Sequence, residues 1–197
     1  MKISDHIKHS LDACDRRDLN QAMLFACLAI DGTAKKTYPG IAQVGARFRK
    51  LITDNIEIIE LMFGGIDLEN TKFPVKSTKG VVGLKFADII YEKYRCSLAH
   101  GDELPPGYQL ELRIAEGIQS FSVDIAGESM TFPESAVFAL GLACVLAPAN
   151  AGQKIGDNRY HYTDGVNAFV VDRWRGKIDC AKQIMDLPGR LRITMNF

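Results

Sequence analysis

The segment QAMLFACLAIDGTAKK, Gln21 to Lys36, is apolar round most of its surface when wound as an α-helix. Such a helix has little face left for water, so it needs neighbours on several sides and predicts the central rod of a helical bundle. Asp18-Leu19-Asn20-Gln21 in front of it has the form of a capping box, an acidic N-cap with Gln three residues on. Before that, Ile3, Ile7, Leu11 and Cys14 recur at helical spacing and predict a short amphipathic helix ending near Asp15-Arg16-Arg17. The one acid inside the central rod, Asp31, stands four residues before Lys35, the spacing of a surface ion pair.

Two further helices are expected. Tyr38-Pro39-Gly40 breaks the chain; Ile41–Met62 then carries Val44, Phe48, Leu51, Ile52, Ile58, Ile59 and Met62 on one side and stops at Gly64-Gly65. Gly65–Gly80 reads as a loop with Phe73-Pro74 tucked inward, and Val81–Tyr94 as the fourth helix. The period then changes. From Tyr108 to Phe132 apolar and polar residues alternate, with Gly117 and Gly127 as turn marks, which predicts a three-stranded antiparallel meander. Pro133-Glu134-Ser135 opens an apolar helix, with Pro in its first turn, that runs to Ala147-Pro148. Asp164-Gly165 predicts a hairpin, Asp172–Gly176 a polar turn around the single tryptophan, Lys177–Met185 a helix, and the residues after Pro188-Gly189 a last strand. The expectation is an α+β chain, a helical bundle over residues 1–104 followed by a strand-rich extension over 105–197, packed as one unit.

Bulk properties narrow the function. Among 197 residues, 24 basic and 24 acidic side chains give zero formal charge, which argues against a non-specific DNA wrapper. The 5 cysteines are scattered without a C-x-x-C pair, so neither a disulfide framework nor a zinc knuckle is expected, and a reducing cytoplasm is the natural setting. The N-terminus lacks a signal-peptide core, and the longest apolar run, Ser135–Ala147, is too short to span a bilayer.

The stretch with the most chemistry is YRCSLAHG, Tyr94 to Gly101, in which four residues separate Arg95 from His100. An imidazole exchanges a proton near neutral pH, and a guanidinium clamps phosphate through a fork of donors. Together they suit metal-independent RNA cleavage, and no metal cluster or cofactor motif is visible. Five steps along an ideal helix turn about 500°, so the two side chains converge only if the helix breaks between them or if two subunits each contribute a pair. The plainer alternative is that both are cations at a helix C-terminus, bonding its last carbonyls.

YRCSLAHG resembles the signature of HEPN domains, helical-bundle proteins with an arginine, four to six intervening residues and a histidine. LFACLAIDGTAKKTYPG is similar to the long second helix of such proteins, and GARFRKLI to its successor. The resemblance covers roughly residues 5–101, with a looser likeness in FVVDRWRGK. It implies a homodimer with the two motifs facing each other. Many members are endoribonucleases in toxin–antitoxin, abortive-infection or other defence systems; others have lost activity and bind nucleotide, RNA or a protein partner such as an antitoxin. It implies that Arg95 holds the scissile phosphate and that His100 is general acid or base. Where active members often carry Asn, Asp or His after the arginine, this chain has Cys96, which leaves orientation of the site to Ser97 or Asp102.

Other residues offer less. Arg47, with Arg49 and Lys50, forms a basic stretch that is either a solvated face or a phosphate contact. Arg173-Trp174-Arg175 sets cations beside an aromatic, as in RNA binding, or is an inward Trp with its arginines in solvent. His6 and His9, at i,i+3, lack further ligands for a metal, and His161 between two tyrosines reads as a strand-surface residue.

Overall fold

The computed structural model describes residues 1–63, 66–77, 80–112, 122–124, 129–163, 167–185 and 194–195. Helix α1 (Ile3–Asp15) buries Ile3, Ile7 and Leu11, and the Asp5 carboxylate reaches back to accept from the Lys2 amide at 2.9 Å. It ends in a tight reversal: Arg17 N–H donates to the Cys14 carbonyl at 2.8 Å and Asp18 N–H to that of Ala13 at 2.9 Å. The reversal puts Arg17 at φ 63, a left-handed position usually given to glycine.

Helix α2 (Leu19–Thr37) is the central rod that its sequence predicts. Ala22, Ala26, Ala29 and Ala34 are buried beside Met23, Cys27 and Ile30, and the small side chains let neighbours approach closely. Only half of the expected capping box forms. Asp18 Oδ1 accepts from the Gln21 amide at 3.0 Å, but the Gln21 side chain accepts instead from Arg16 Nη2 at 2.7 Å.

The expected helix Ile41–Met62 is two helices, α3 (Val44–Asp54) and α4 (Ile56–Leu61). Asn55 divides them because its side-chain amide takes the Leu51 carbonyl at 2.8 Å, competing with the helical ladder. The stop at Gly64-Gly65 lies outside the described residues. The end of what read as a loop enters a hairpin, β1 (Phe73–Ser77) against β2 (Gly80–Leu84), with Val75 opposite Val82 and Phe73 opposite Leu84. The fourth helix therefore starts only at Phe86: two adjacent valines in 81–84 favour the extended chain, and Gly83 disfavours a helix there. Phe73 is fully buried, as expected.

From Phe86 one helical rod runs to His100, as α5 (Phe86–Ile89), a π-helical segment (Ile90–Arg95) and α6 (Cys96–His100). After it come β3 (Tyr108–Glu111), β4 (Ser122–Asp124) and β5 (Ser129–Pro133). They are not a meander: β5 lies in the middle, parallel to β3 and antiparallel to β4. Alternation sets which face a side chain takes but not which strand it neighbours. Met130, Thr131 and Phe132 are buried on both faces of β5, which suits the central place. The turn marks at Gly117 and Gly127 lie outside the described residues.

Pro133 closes β5 rather than opening the next helix, α7 (Ser135–Leu146). That helix is buried nearly throughout and packs on α1, α2 and α4. Phe132 meets Phe63, Phe73, Phe86 and Tyr94 with ring centroids 5.6–6.1 Å apart, so one core joins the helical and strand-bearing parts. Buried Asn150 ties α2 to α7, donating to Thr33 Oγ1 at 2.8 Å and to the Cys144 carbonyl at 2.9 Å. The hairpin β6 (His161–Thr163) and β7 (Ala168–Val170) forms as expected, its Asp164-Gly165 tip lying outside the described residues. A helical turn, α8 (Val171–Trp174), and α9 (Ile178–Ile184) follow. The expected terminal strand also falls largely outside the described residues. No helix among the described residues is long and apolar enough to cross a membrane.

Candidate active site around Arg95

In the π-helical segment, Ile90 and Tyr94 point into the core, and the Tyr94 hydroxyl donates to the Gln109 carbonyl at 3.1 Å. Single π turns inside α-helices recur at functional sites, because the added residue re-aims the side chains that follow. Here the segment ends on Arg95. Its Nε and Nη2 donate to one oxygen, Asp31 Oδ2, at 3.0 and 2.9 Å. The arginine and aspartate side chains are 19% and 16% exposed. The surface pair expected between Asp31 and Lys35 is not formed: a guanidinium 64 positions away along the chain takes the carboxylate, with two bonds where an ammonium at i,i+4 offers one. The other oxygen, Asp31 Oδ1, is buried and accepts no hydrogen bond from the described residues.

Burial works against the charge on Arg95, but the hydrogen bond and charge of Asp31 outweigh it, and the pKa moves up. The guanidinium also lies 5.6 Å from the ring centroid of Tyr91, and Arg49 lies 4.3 Å from that centroid. Arg49 is itself committed, donating to Asp88 at 2.7 Å and Glu92 at 2.8 Å. Gly45 permits this packing, since a Cβ there would stand 2.8 Å from both Tyr91 and Arg49.

His100 is the last residue of α6 and exposed, and its side chain has no hydrogen-bond partner among the described residues. The break lies after it: Gly101 takes φ 79, and the Gly101 and Asp102 amides close the helix onto the carbonyls of Leu98 and Ser97 at 3.2 and 3.0 Å. Because α6 is unbroken between the two, Arg95 and His100 point about 140° apart. Within one chain they do not converge. Ser97 and Asp102 supply backbone groups to the helix end, and Cys96 is half-buried beside Arg95.

The remaining candidates separate. Arg47 folds back, its Nη1 donating to the carbonyls of Ile41 and Ala42 at 3.4 and 3.3 Å. Arg173 is exposed, Trp174 is half-buried edge-on to Phe169 at 5.0 Å, and Arg175 is buried with 2% of its side chain exposed. The expected display of both arginines in solvent is thus corrected, and Arg175 cannot touch a ligand on the surface of this conformation. Its neighbours in sequence direct it inward: Asp172 anchors the turn and Gly176 N–H bonds the Val145 carbonyl at 2.9 Å. His6 and His9 pack near Phe25, and His161 Nδ1 lies 2.9 Å from the Arg159 carbonyl oxygen. No cluster of three or more His, Cys, Asp or Glu suited to a metal occurs among the described residues. Burial pushes the Cys14 and Cys144 thiols up to about 12, and Cys27 also upward, so none is a ready thiolate.

Asp31 is the site residue that sequence reasoning missed. Its one signal is that it is the only acid within an otherwise apolar helix.

The chain matches the Rv1289 family over residues 2–197. The uncharacterized protein Rv1289 of Mycobacterium tuberculosis (strain ATCC 25618 / H37Rv) is 30% identical over 203 residues, covering 100% of this chain and 94% of the relative. The uncharacterized protein Mb1320 of Mycobacterium bovis matches to the same extent, 30% over 203 residues. No solved structure matches.

Proposed function

The chain belongs to the Rv1289 family, and we propose that it is a HEPN-type, metal-independent endoribonuclease whose active site is completed when two copies meet. One observation carries this reading: two hydrogen bonds to Asp31 fix the Arg95 guanidinium, while the His100 side chain, farther along the same rod, is exposed and has no hydrogen-bond partner among the described residues. A guanidinium fixed in advance loses little freedom on taking a phosphate. A free imidazole at a helix end is available to a substrate on a neighbouring subunit.

In a two-fold dimer, His100 of one copy faces Arg95 of the other. The imidazole takes the proton of a ribose 2′-OH, and the 2′-oxygen attacks phosphorus. The 5′-oxygen leaves, protonated by solvent, and a 2′,3′-cyclic phosphate remains. Arg95 balances the charge gathering on the phosphoryl oxygens. An antitoxin-type protein that covers this face is the natural regulator of such an activity.

A second reading is favoured by Asp31 and Cys96. A carboxylate that already neutralises Arg95 weakens its pull on phosphate, and a thiol is a poor hydrogen-bond partner for substrate. On that reading the chain is a catalytically inactive module that binds RNA, nucleotide or protein.

The test is RNA cleavage in EDTA by wild type, Arg95→Ala, His100→Ala and an equal mixture of the two variants after subunit exchange. The composite site predicts cleavage by wild type, none by either variant, and about a quarter of wild-type activity in the mixture, because half the dimers carry one intact site of two. Full cleavage by His100→Ala alone refutes it. No cleavage by any sample across varied RNAs leaves the binding module.

A further inference from the structure

Arg175 sits in an environment that should reject it. Its Nε, Nη1 and Nη2 are all buried, and none has a hydrogen-bond acceptor among the described residues. The nearest carboxylate oxygen among the described residues, Asp172 Oδ1, is 3.9 Å from Nε. Both oxygens of Asp172 are already engaged, by the amides of Ile155 at 2.8 Å and Gly156 at 2.7 Å. The buried hydroxyl of Tyr162 also lacks a partner among the described residues and presses on Gly141, leaving no space for the Cβ of a larger residue. Arg175, Tyr162 and Cys144 lie close enough to influence one another electrostatically, yet none supplies a hydrogen bond to the guanidinium. A buried cation without a protein acceptor weakens the state that encloses it.

What holds the enclosure shut is local and begins at Val171, a fully buried residue whose N–H bonds the Tyr160 carbonyl at 2.9 Å and on which the strap hinges. The Asp172 carboxylate latches two amides of the preceding loop, Gly176 N–H bonds Val145, and Trp174 packs edge-on to Phe169. These contacts restrain a strip that carries, in order, a cation, an indole and a second cation. Only Arg173 of the three is exposed in the closed form. Two guanidinium groups beside an aromatic face are the chemistry that binds single-stranded nucleic acid, by phosphate contact and base stacking.

We propose that α8 and the turn after it form a strap, latched by Asp172, that opens to present Arg173, Trp174 and Arg175 to single-stranded RNA. Opening relieves the buried charge, so part of the cost of exposing Trp174 is offset within the strap. The choice of RNA rests on the proposed ribonuclease reading; the latch and the penalty on Arg175 do not.

The test is amide hydrogen exchange over residues 171–177 of the full chain, with and without a short 2′-O-methyl oligouridine that cannot be cleaved. Exchange there should rise with the oligonucleotide while α7 stays protected, and the same rise should occur in Arg95→Ala. Loss of cleavage thus leaves this response intact. Arg175→Met should lose the response and raise Tm by at least about 2 °C, since an apolar side chain of similar volume suits the enclosure better. Unchanged exchange in wild type, or a lower Tm in Arg175→Met, overturns the proposal.

Discussion

Removing either partner of the Asp31–Arg95 pair should reveal how firmly the candidate site is built. Exposed ion pairs contribute about 0.2–1 kcal/mol, whereas breaking a buried pair costs about 3–5 kcal/mol. With side chains 16% and 19% exposed and two bonds of 2.9–3.0 Å, this pair falls between the two regimes. A coupling energy of roughly 1–2 kcal/mol is expected from the cycle of Asp31→Ala, Arg95→Ala and the double variant. The single losses should be unequal. Asp31→Ala leaves a guanidinium that can turn to water. Arg95→Ala leaves a carboxylate whose Oδ1 already lacks a donor and whose Oδ2 then loses both, so this variant should be less stable by about 1 kcal/mol. Urea unfolding at neutral pH measures all four proteins, and a parallel cycle with Lys35→Ala serves as control, with coupling of about 0.3 kcal/mol or less. Coupling below about 0.5 kcal/mol for Asp31–Arg95 would refute the argument that Asp31 fixes the guanidinium.

Three further outcomes follow from the structure. Phe132→Ala should destabilise the chain by about 3–5 kcal/mol in urea, since the ring meets four other aromatic rings; a loss under about 1.5 kcal/mol contradicts the continuous core. Arg17→Gly should be neutral or raise stability by up to about 1 kcal/mol, because relief of the left-handed backbone opposes the added freedom of the unfolded chain; a clear loss refutes the strain. Burial, then the charge of the N-terminus, holds the His6 pKa below its ordinary 6.5, so the unfolded chain binds the proton more readily. Stability from His6 is therefore full above pH 6.5 and falls as the pH drops through 6.5 toward the lowered folded value. His6→Gln should flatten the Tm profile across that window, and an unchanged slope counts against the assignment.

The parts legible in sequence are those governed by local periodicity. Apolar spacing located α1, α2 and α7, because a helix buried on several sides must be apolar on several sides. The β6–β7 pairing was legible for a similar reason, as a turn signal between two aromatic-rich runs restricts the chain to a hairpin. The failures have nonlocal causes. Asn55 interrupts a helix by taking the Leu51 carbonyl, and β5 enters between β3 and β4 because its both-sided burial suits the middle of the sheet. Neither outcome is encoded in a repeat of two or 3.6 residues.

For the candidate site, sequence by itself determined that an arginine and a histidine end one helical rod and that one acid lies in an apolar helix. Tertiary structure decided that this acid belongs to the arginine rather than to Lys35, that the helix stays unbroken until after His100, and that Arg175 is enclosed while Arg173 is not. The reason is reach. Hydrophobic period is a property of neighbours along the chain, whereas the partner of a charge is whichever opposite group the packed core brings within about 3 Å, here from 64 residues away.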